Sequence, residues 1–420
     1  MEYSSASASD VVMQLNKALE FQVDYDIWEP KLPIDYKEII QMSKTPGINN
    51  SIEKYEDLYH TFSKGILLQK GKVLFSLGSN GERNEMISAR MFLYKNHTSC
   101  KYRSLQESRF PKVVEVFDTL KLKIPIKITT QFLSPGVKYG AYIIFKFRDT
   151  RKASSKQIYV NLKYKMGGET LHAYFATWRN DKWMKIELCR FLCDKKDTYF
   201  EVLLESFSRY HCGTESIYVE GIEFRDVKNE EVEQVKETLN SDSNTDQCLS
   251  LKEVNTKKHL MLSAVEVLYE SANLKHFHVH PSVKSRFQEA IELPRQHKFR
   301  IKCKIQSQML SHDTVYSCYL VYKLSENCVG LHCPLIVRDL VRQNKNEAQI
   351  VYVRTPSPWN IHENISVPKQ REDGCMEVQV WKFNSKLQLI NDCIPVNLKL
   401  ITYEGTMSGL IVCGLEFRLI

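Results

Sequence analysis

No run of about 18 consecutive apolar residues occurs in this 420-residue chain, so the sequence offers no candidate transmembrane helix. The N-terminus, MEYSSASASDVVMQLNKALE, lacks the basic stretch followed by an apolar one that marks a secretory leader. Dense basic clusters are also missing. Lys and Arg (58) are interspersed with Asp and Glu (50), and the formal charge of +8 is modest for the length, which argues against a nucleic-acid partner. Twelve cysteines carry no framework spacing. Cys189, Cys303, Cys318 and Cys413 sit in apolar runs, so the expectation is free thiols buried as small hydrophobes in a reducing compartment. In that compartment the sequons at Asn49, Asn96 and Asn364 would be chance matches. Signatures of catalysis are absent: no phosphate-cradling glycine loop with its lysine, no G-x-S-x-G elbow, no H-E-x-x-H and no kinase catalytic loop. The expectation is a protein that is not an enzyme and needs no cofactor.

What is present is the composition of a globular protein, 43% hydrophobic, 26% charged and 11% aromatic, long enough for two domains of roughly 160 residues. The chain repeats itself. SRFPKVVEVFDTLKLKIPIKITTQFLSPGVKYGAYIIFKF, from Ser108, aligns without a gap with SRFQEAIELPRQHKFRIKCKIQSQMLSHDTVYSCYLVYKL, from Ser285. Further blocks agree in the same order. ISARMFLY from Ile87 parallels LSAVEVLY from Leu262, DKWMKIELCRF from Asp181 parallels DGCMEVQVWKF from Asp373, and YVEGIEFR from Tyr218 parallels VCGLEFR from Val412. Four blocks in one order identify two copies of one domain.

The blocks read as strands. Lys121–Ile128 alternates polar and apolar residues, the period of a half-buried strand, and Pro125 within it marks an edge strand or a bulge. Tyr139–Phe147 is denser in β-branched and aromatic residues, as a strand between packed sheets should be. Many short strands separated by turn signals predict an all-β chain of two tandem jelly-roll-like β-sandwich domains. The predicted boundaries are an N-terminal extension over 1–55, domain one over 56–227, a charged, partly helical linker over 228–256, and domain two over 257–420. One short amphipathic helix is predicted between Pro33 and Ser43.

At these blocks the sequence resembles the phloem protein 2 family of plant lectins, to which the Nictaba-type lectins belong. The resemblance rests on GILLQKGKVLFSL…ISAR, SRFP, LSPGVKYGAYIIFKF, the run at Trp183 and the closing VEGIEFR, with MLSA, SRF, YSCYLVYKLSE and SGLIVCGLEFR in the second copy. It implies a β-sandwich, a nucleocytoplasmic location, and binding of glycans or glycoproteins, usually N-acetylglucosamine oligomers or N-glycan cores. Family members joined to kinase or F-box modules imply an alternative: an interaction module without sugar binding that docks a signalling protein such as a receptor-like kinase.

A sugar site needs an aromatic face against the apolar side of the ring, with carboxylates accepting from its hydroxyls. The resemblance implies two tryptophans near the domain's start and glutamates in and beside its penultimate strand. Here Leu93 and Cys100 stand at the tryptophan positions, leaving Tyr94 and Tyr102 nearby. Glu205 falls beside a family glutamate, and the second copy's matching place lies near Thr402 with Glu404 two residues on. Trp178 and Trp359, in predicted loops, are possible stacking platforms as well as ordinary loop anchors. Trp183 and Trp381 read as core. The alternating His276, His278 and His280 would share one strand face, but the first copy has no such pattern, so no metal is assigned.

Overall fold

In the computed structural model the described residues are 13, 27–43, 54–78, 81–93, 100–148, 157–180, 182–194, 198–209, 216–227, 260–268, 278–281, 289–326, 328, 331–342, 348–356, 365–386 and 392–420. They belong to two units that divide between Asn244 and Thr245. The linker expected over 228–256 and most of the first 26 residues lie outside the described residues. Ahead of the first copy, α1 (Tyr36–Met42) forms where the amphipathic pattern predicts it, with Tyr36 and Ile39 buried. A second helix that the sequence reading does not anticipate, α2 (Tyr55–Lys64), buries Leu58 and Phe62. Phe62 meets Phe75 edge-on at 5.7 Å. Asp35 accepts from both terminal nitrogens of Arg83, at 2.5 and 3.1 Å, and fastens this opening segment to the first copy.

The first copy contributes β1 (Ile66–Leu68), β2 (Val73–Leu77), β3 (Arg83–Ser88), β4 (Cys100–Arg103), β5 (Val113–Val116), β6 (Ile124–Thr130), β7 (Lys138–Phe147), β8 (Gln157–Met166), β9 (Glu169–Trp178), β10 (Met184–Leu192), β11 (Thr198–Arg209) and β12 (Ile217–Asp226). Their pairing runs β1-β2-β3-β12-β7-β10-β9-β8-β11-β6, with β4 on β5 and β5 on β12. β10 and β9 pair only at Met184–Trp178 and Lys185–Thr177, where the path turns from one layer to the other. Rings from strands far apart on that path meet in the core. Phe145 of β7 lies 5.0 Å from Phe207 of β11, and Phe224 of β12 lies 5.3 Å from Phe200 of β11. A front layer (β3 and β5, then β12-β7-β10) thus packs on a back layer (β9-β8-β11-β6), the sandwich expected from the sequence.

The second copy contributes β13 (Leu260–Ser263), β14 (His278–Pro281), β15 (Glu289–Glu292), β16 (Lys298–Gln306), β17 (Val315–Leu324), β18 (Leu335–Asp339), β19 (Gln349–Val351), β20 (Ile365–Ser366), β21 (Lys369–Gln370), β22 (Met376–Asn384), β23 (Cys393–Thr402) and β24 (Leu410–Leu419). Here the layers are separate sheets: β14-β15-β24-β17-β22-β21 in front, with β13 on β24, and β16-β23-β18-β19-β20 behind. Phe299, Ile301, Leu320, Leu398 and Phe417 fill the space between. Trp381 stacks on Phe383 at 4.6 Å, the packing role expected of it.

The strand read over 121–128 begins only at Ile124, because Thr119–Lys121 forms a 3-10 turn and Lys123 takes a positive φ; from Ile124 on the alternation holds. Ile124, Ile126 and Ile128 are buried and Pro125, Lys127 and Thr129 are exposed. Among the described residues β6 pairs only with β11, so Pro125 lies on an edge strand, where proline is tolerated. Strand β7 is covered on both faces, but differently on each. One face meets the sandwich core; on the other, Ile144 joins Met86, Phe110, Val113 and the buried Trp183 in a second apolar cluster. Trp183 donates from Nε1 to the Glu107 carbonyl at 3.1 Å.

Two bulges recur at equivalent places in the copies. The register between the central and outer front strands slips at Leu188 and again at Val380, and along the closing strands it slips at Glu220 and at Cys413. The closing bulge is followed by glycine in both copies. A Cβ on Gly221 would lie 2.2 Å from the Ile87 carbonyl oxygen, because β3 and β12 approach closely there. Backbone cannot yield as a side chain can. Gly221→Ala is expected to destabilise the first copy by about 2 kcal/mol or more, read as a lowered urea midpoint with an unchanged slope. An unchanged midpoint would show that the close approach is not needed.

Candidate functional site

The most conspicuous polar cluster belongs to the shared closing motif and to Ser-Arg-Phe. Glu220, fully buried, accepts from Ser108 Oγ (3.1 Å) and from the Arg109 backbone N–H and Nη2 (2.7 Å each). Glu223 accepts from Arg109 Nη1 (2.9 Å) and Arg179 Nη2 (2.7 Å), and pairs with Arg225 Nε at 3.0 Å. In the second copy Glu416 accepts from Arg371 Nη1 (2.6 Å) and Arg418 Nε (2.9 Å), and the same two arginines bind Glu377. Glu223 and Glu416, like Arg225 and Arg418, hold the same places in the repeat. These carboxylates are taken up by internal partners, so the cluster organises the front layer and offers little to a ligand.

Burial by itself pushes the Glu223 carboxyl up. The Arg179 hydrogen bond and the charges of Arg225, Arg109 and Arg179 outweigh it and bring the pKa down to about 2. Glu416, bonded by Arg418 and Arg371 against the same burial, also falls to about 2. A carboxylate in the unfolded chain titrates near ~4.3. The stabilisation is therefore complete above that value and is lost as pH falls from about 4.3 towards 2. Glu223→Gln should cost about 3–5 kcal/mol, since arginines are left uncompensated, and should flatten the acid limb of the thermal-melting profile. A variant with the parental acid limb would remove Glu223 from this role.

The open polar surface lies behind. On β8, Ile158, Val160, Leu162 and Tyr164 point to the core, so Tyr159, Asn161, Lys163 and Lys165 point outward. On β11 the buried Phe200, Val202 and Leu204 leave Tyr199, Glu201 and Leu203 outward. A bulge between Leu204 and Ser206 then brings Glu205 onto this face. Its carboxylate is held by Lys163 Nζ at 3.0 Å and Lys165 Nζ at 2.9 Å. Hydrogen bonds from Lys165 and Lys163 keep the carboxyl below its usual range, so it is an acceptor at neutral pH. Leu120, Lys123, Pro125, Leu203 and Ser206 complete an open groove of about 610 Å³ around it. Beside the groove His172 Nδ1 lies 3.1 Å from Asn161 Oδ1, and its ring stacks on Tyr174 at 5.7 Å. The groove thus combines an ionised acceptor, two ammonium donors and apolar edges, a set suited to a small polyhydroxylated ligand.

Of the residues singled out in the sequence, Tyr94, Trp359 and His276 lie outside the described residues. Tyr102, on β4 at the front, donates to the Leu93 carbonyl at 3.1 Å, with the Arg90 guanidinium 5.5 Å from its ring. It shares no partner with Glu205, which sits in the opposite layer. Trp178 ends β9 half-buried, opposite the buried Met184. Glu404 follows β23, where its carbonyl accepts from Thr402 Oγ1 at 2.6 Å. The match of Glu205 to the neighbourhood of Thr402 is corrected by strand register. Leu204 pairs with Ile124 and Leu398 pairs with Ile301, 177 positions after Ile124; Ser206 then pairs with Lys163 as Lys399 pairs with Arg338, so Lys399 stands in register with Ser206 and the Glu205 bulge has no counterpart. The extra bulge residue is what a residue-by-residue alignment cannot place. Lys163 and Lys165 were not anticipated, although the alternation in YVNLKYK already puts both on one face.

The family model of phloem protein 2 matches residues 83–226 and 257–419. Among curated proteins of Arabidopsis thaliana, F-box protein At2g02240 is 27% identical over 256 residues, covering 55% of this chain and 78% of that protein. F-box protein PP2-B13 is 32% identical over 124 residues, covering 29% of this chain and 43% of that protein. Among solved structures, the CBM22-1–CBM22-2 tandem domain of Paenibacillus barcinonensis Xyn10C aligns over 80% of this chain and 97% of that one, at 7% identity and a TM-score of 0.22. Both copies match the one family model, over well more than half of the chain, and the chain belongs to the phloem protein 2 family.

Proposed function

We propose that this chain is a non-catalytic, lectin-like protein of the cytoplasm or nucleus, and that its first copy binds N-acetylglucosamine-containing glycans on the outer face of the back layer. The observation that carries the reading is Glu205, an ionised carboxylate held between two lysines in an open groove with apolar edges. A pyranose ring presents hydroxyls that donate to such a carboxylate and accept from ammonium groups, while its C–H face rests on Leu203 and Pro125. No helix among the described residues is long and apolar enough to cross a membrane. One such groove engages one glycan at a time, so effective concentration adds nothing unless both copies bind sugar.

Titration of the full chain with chitotriose by calorimetry is expected to give saturable heat, and Glu205→Gln should weaken it about tenfold, the worth of a hydrogen bond to a charged acceptor. A flat response from folded protein across a glycan array would overturn the reading. A second reading, docking of a signalling protein such as a receptor-like kinase, draws support from Tyr102, whose hydroxyl and ring are already engaged within the domain rather than presented to a sugar. Affinity for a kinase domain, undiminished by Glu205→Gln, would favour it.

A further inference from the structure

The face that holds Glu205 in the first copy has the opposite electrostatic character in the second. Outward positions along β16 are Lys298, Arg300, Lys302 and Lys304, all exposed, between the buried Phe299, Ile301 and Ile305. Strand β23 adds Lys399, and β18 adds the exposed Arg338. Pairing puts three of these cations in a single row: Arg300 is the partner of Lys399, and Lys399 of Arg338. No Asp or Glu occupies an outward position on these three strands. In the first copy the corresponding row contains Lys163 beside Glu205, and Lys127 beside Glu201. The Glu205 bulge has no counterpart in the second copy, and where Glu201 stood there is Pro395.

Like charges directly opposite on neighbouring strands destabilise a sheet unless something neutralises them. Among the described residues Lys298, Lys304, Arg338 and Lys399 have no ion pair. One step further along the same strands, Ile401, Ile336, Ile350 and Ile365 form a half-buried apolar row across four strands. Outward side chains two residues apart on a strand are separated by about 6.8 Å. A cationic row and an apolar row therefore run side by side on this face.

We infer that the second copy binds an anionic polysaccharide, a linear chain of uronic acid residues, on the outer face of its back layer. Carboxylates along one edge of such a chain meet Arg300, Lys399 and Arg338, and the C–H faces of its rings lie along the isoleucines. Single-stranded nucleic acid is disfavoured because the outward positions of β16, β23 and β18 carry no aromatic ring for base stacking. The inference rests on the proposed reading for the class of polymer. The cationic face itself stands apart from it.

The test uses the full chain with de-esterified polygalacturonate, and with phosphatidylserine vesicles and polyuridylate as competing probes. Polygalacturonate is expected to bind at low salt, to weaken as ionic strength rises, and to bind at least tenfold more weakly to the Lys399→Glu/Arg338→Glu chain. Lys399→Gln/Arg338→Gln guards against misfolding by charge reversal and should show an intermediate loss. Lys386→Gln, an exposed lysine elsewhere in the copy, should change nothing. Absence of binding, or binding indifferent to these substitutions, overturns the inference. Tighter binding of vesicles or polyuridylate that is lost in the same variants also overturns it, by naming a different occupant. Polygalacturonate binding with no response to chitotriose would sink the first-copy reading and leave this one standing.

Discussion

Burying a carboxylate in the middle of a sheet is unfavourable unless cations accompany it, and that requirement shapes each copy. Glu223 and Glu416 stand on the closing strand, flanked on one side by the central strand of the front layer, and both are almost fully enclosed. Their counterions come from distant parts of the sequence. Arg109 follows the first strands, Arg179 precedes β10 and Arg371 precedes β22, and Arg225 and Arg418 lie two residues beyond the carboxylates. A buried ion pair adds little net stability against an apolar alternative, but a partner missing from it is costly. The cluster therefore fixes which loops meet which strands, so that the first and last parts of a domain must come together before the charge is compensated.

A second consequence concerns where a ligand can bind. With the arginines drawn over the front layer, the neighbouring outer surface of β7 closes beneath Phe110, Val113 and Trp183 in the first copy. The second copy closes the same place with smaller groups, Ala290, Val321, Cys375 and Cys413. Trp183 and Glu220 correspond to Cys375 and Cys413, so a hydrogen-bonded ring and a clamped carboxylate are exchanged for two thiols without altering the bulge beneath them. Burial, together with the neighbouring Cys375, pushes the Cys413 thiol up to about 12, consistent with a residue that packs and does not react. In both copies this part of the front layer is thereby covered by the domain's own side chains.

Much of this organisation was legible in the sequence because its signals are local or repeated. Alternation in KLKIPIKI, the edge position implied by Pro125, helix α1 and the packing of Trp183 and Trp381 all follow from residues near one another in the chain. Helix α2 carries a helical spacing of its own, Tyr55, Leu58, Tyr59 and Phe62, which a reading centred on the repeated strand blocks passed over. The candidate site was harder still. Glu205 was identifiable as a residue, but its lysine partners sit some 40 positions upstream and meet it only through the pairing of β8 with β11. Strand register shows no counterpart of it in the second copy, because the bulge adds a residue that only register can assign. Tyr102 drew attention as an aromatic near the expected place, yet its hydroxyl is satisfied by the Leu93 carbonyl next to it.

Comparing the copies separates what the fold requires from what it leaves free. The Gly that follows the closing bulge, the Glu-Phe-Arg after it, and both bulge positions are the same in the two, and each answers a constraint of backbone approach or buried charge. On the back faces the opposite holds: the Glu205 bulge is lost, and Glu201, Ser206 and Pro125 give way to Pro395, Lys399 and Lys302. None of these outward changes disturbs the alternating core residues between them, which is why the fold tolerates a reversal of charge there. A face whose chemistry can change sign while its scaffold stays fixed is suited to recognising different ligands with the same architecture. Two copies on one chain would then broaden what is bound, rather than only strengthen the binding of one ligand.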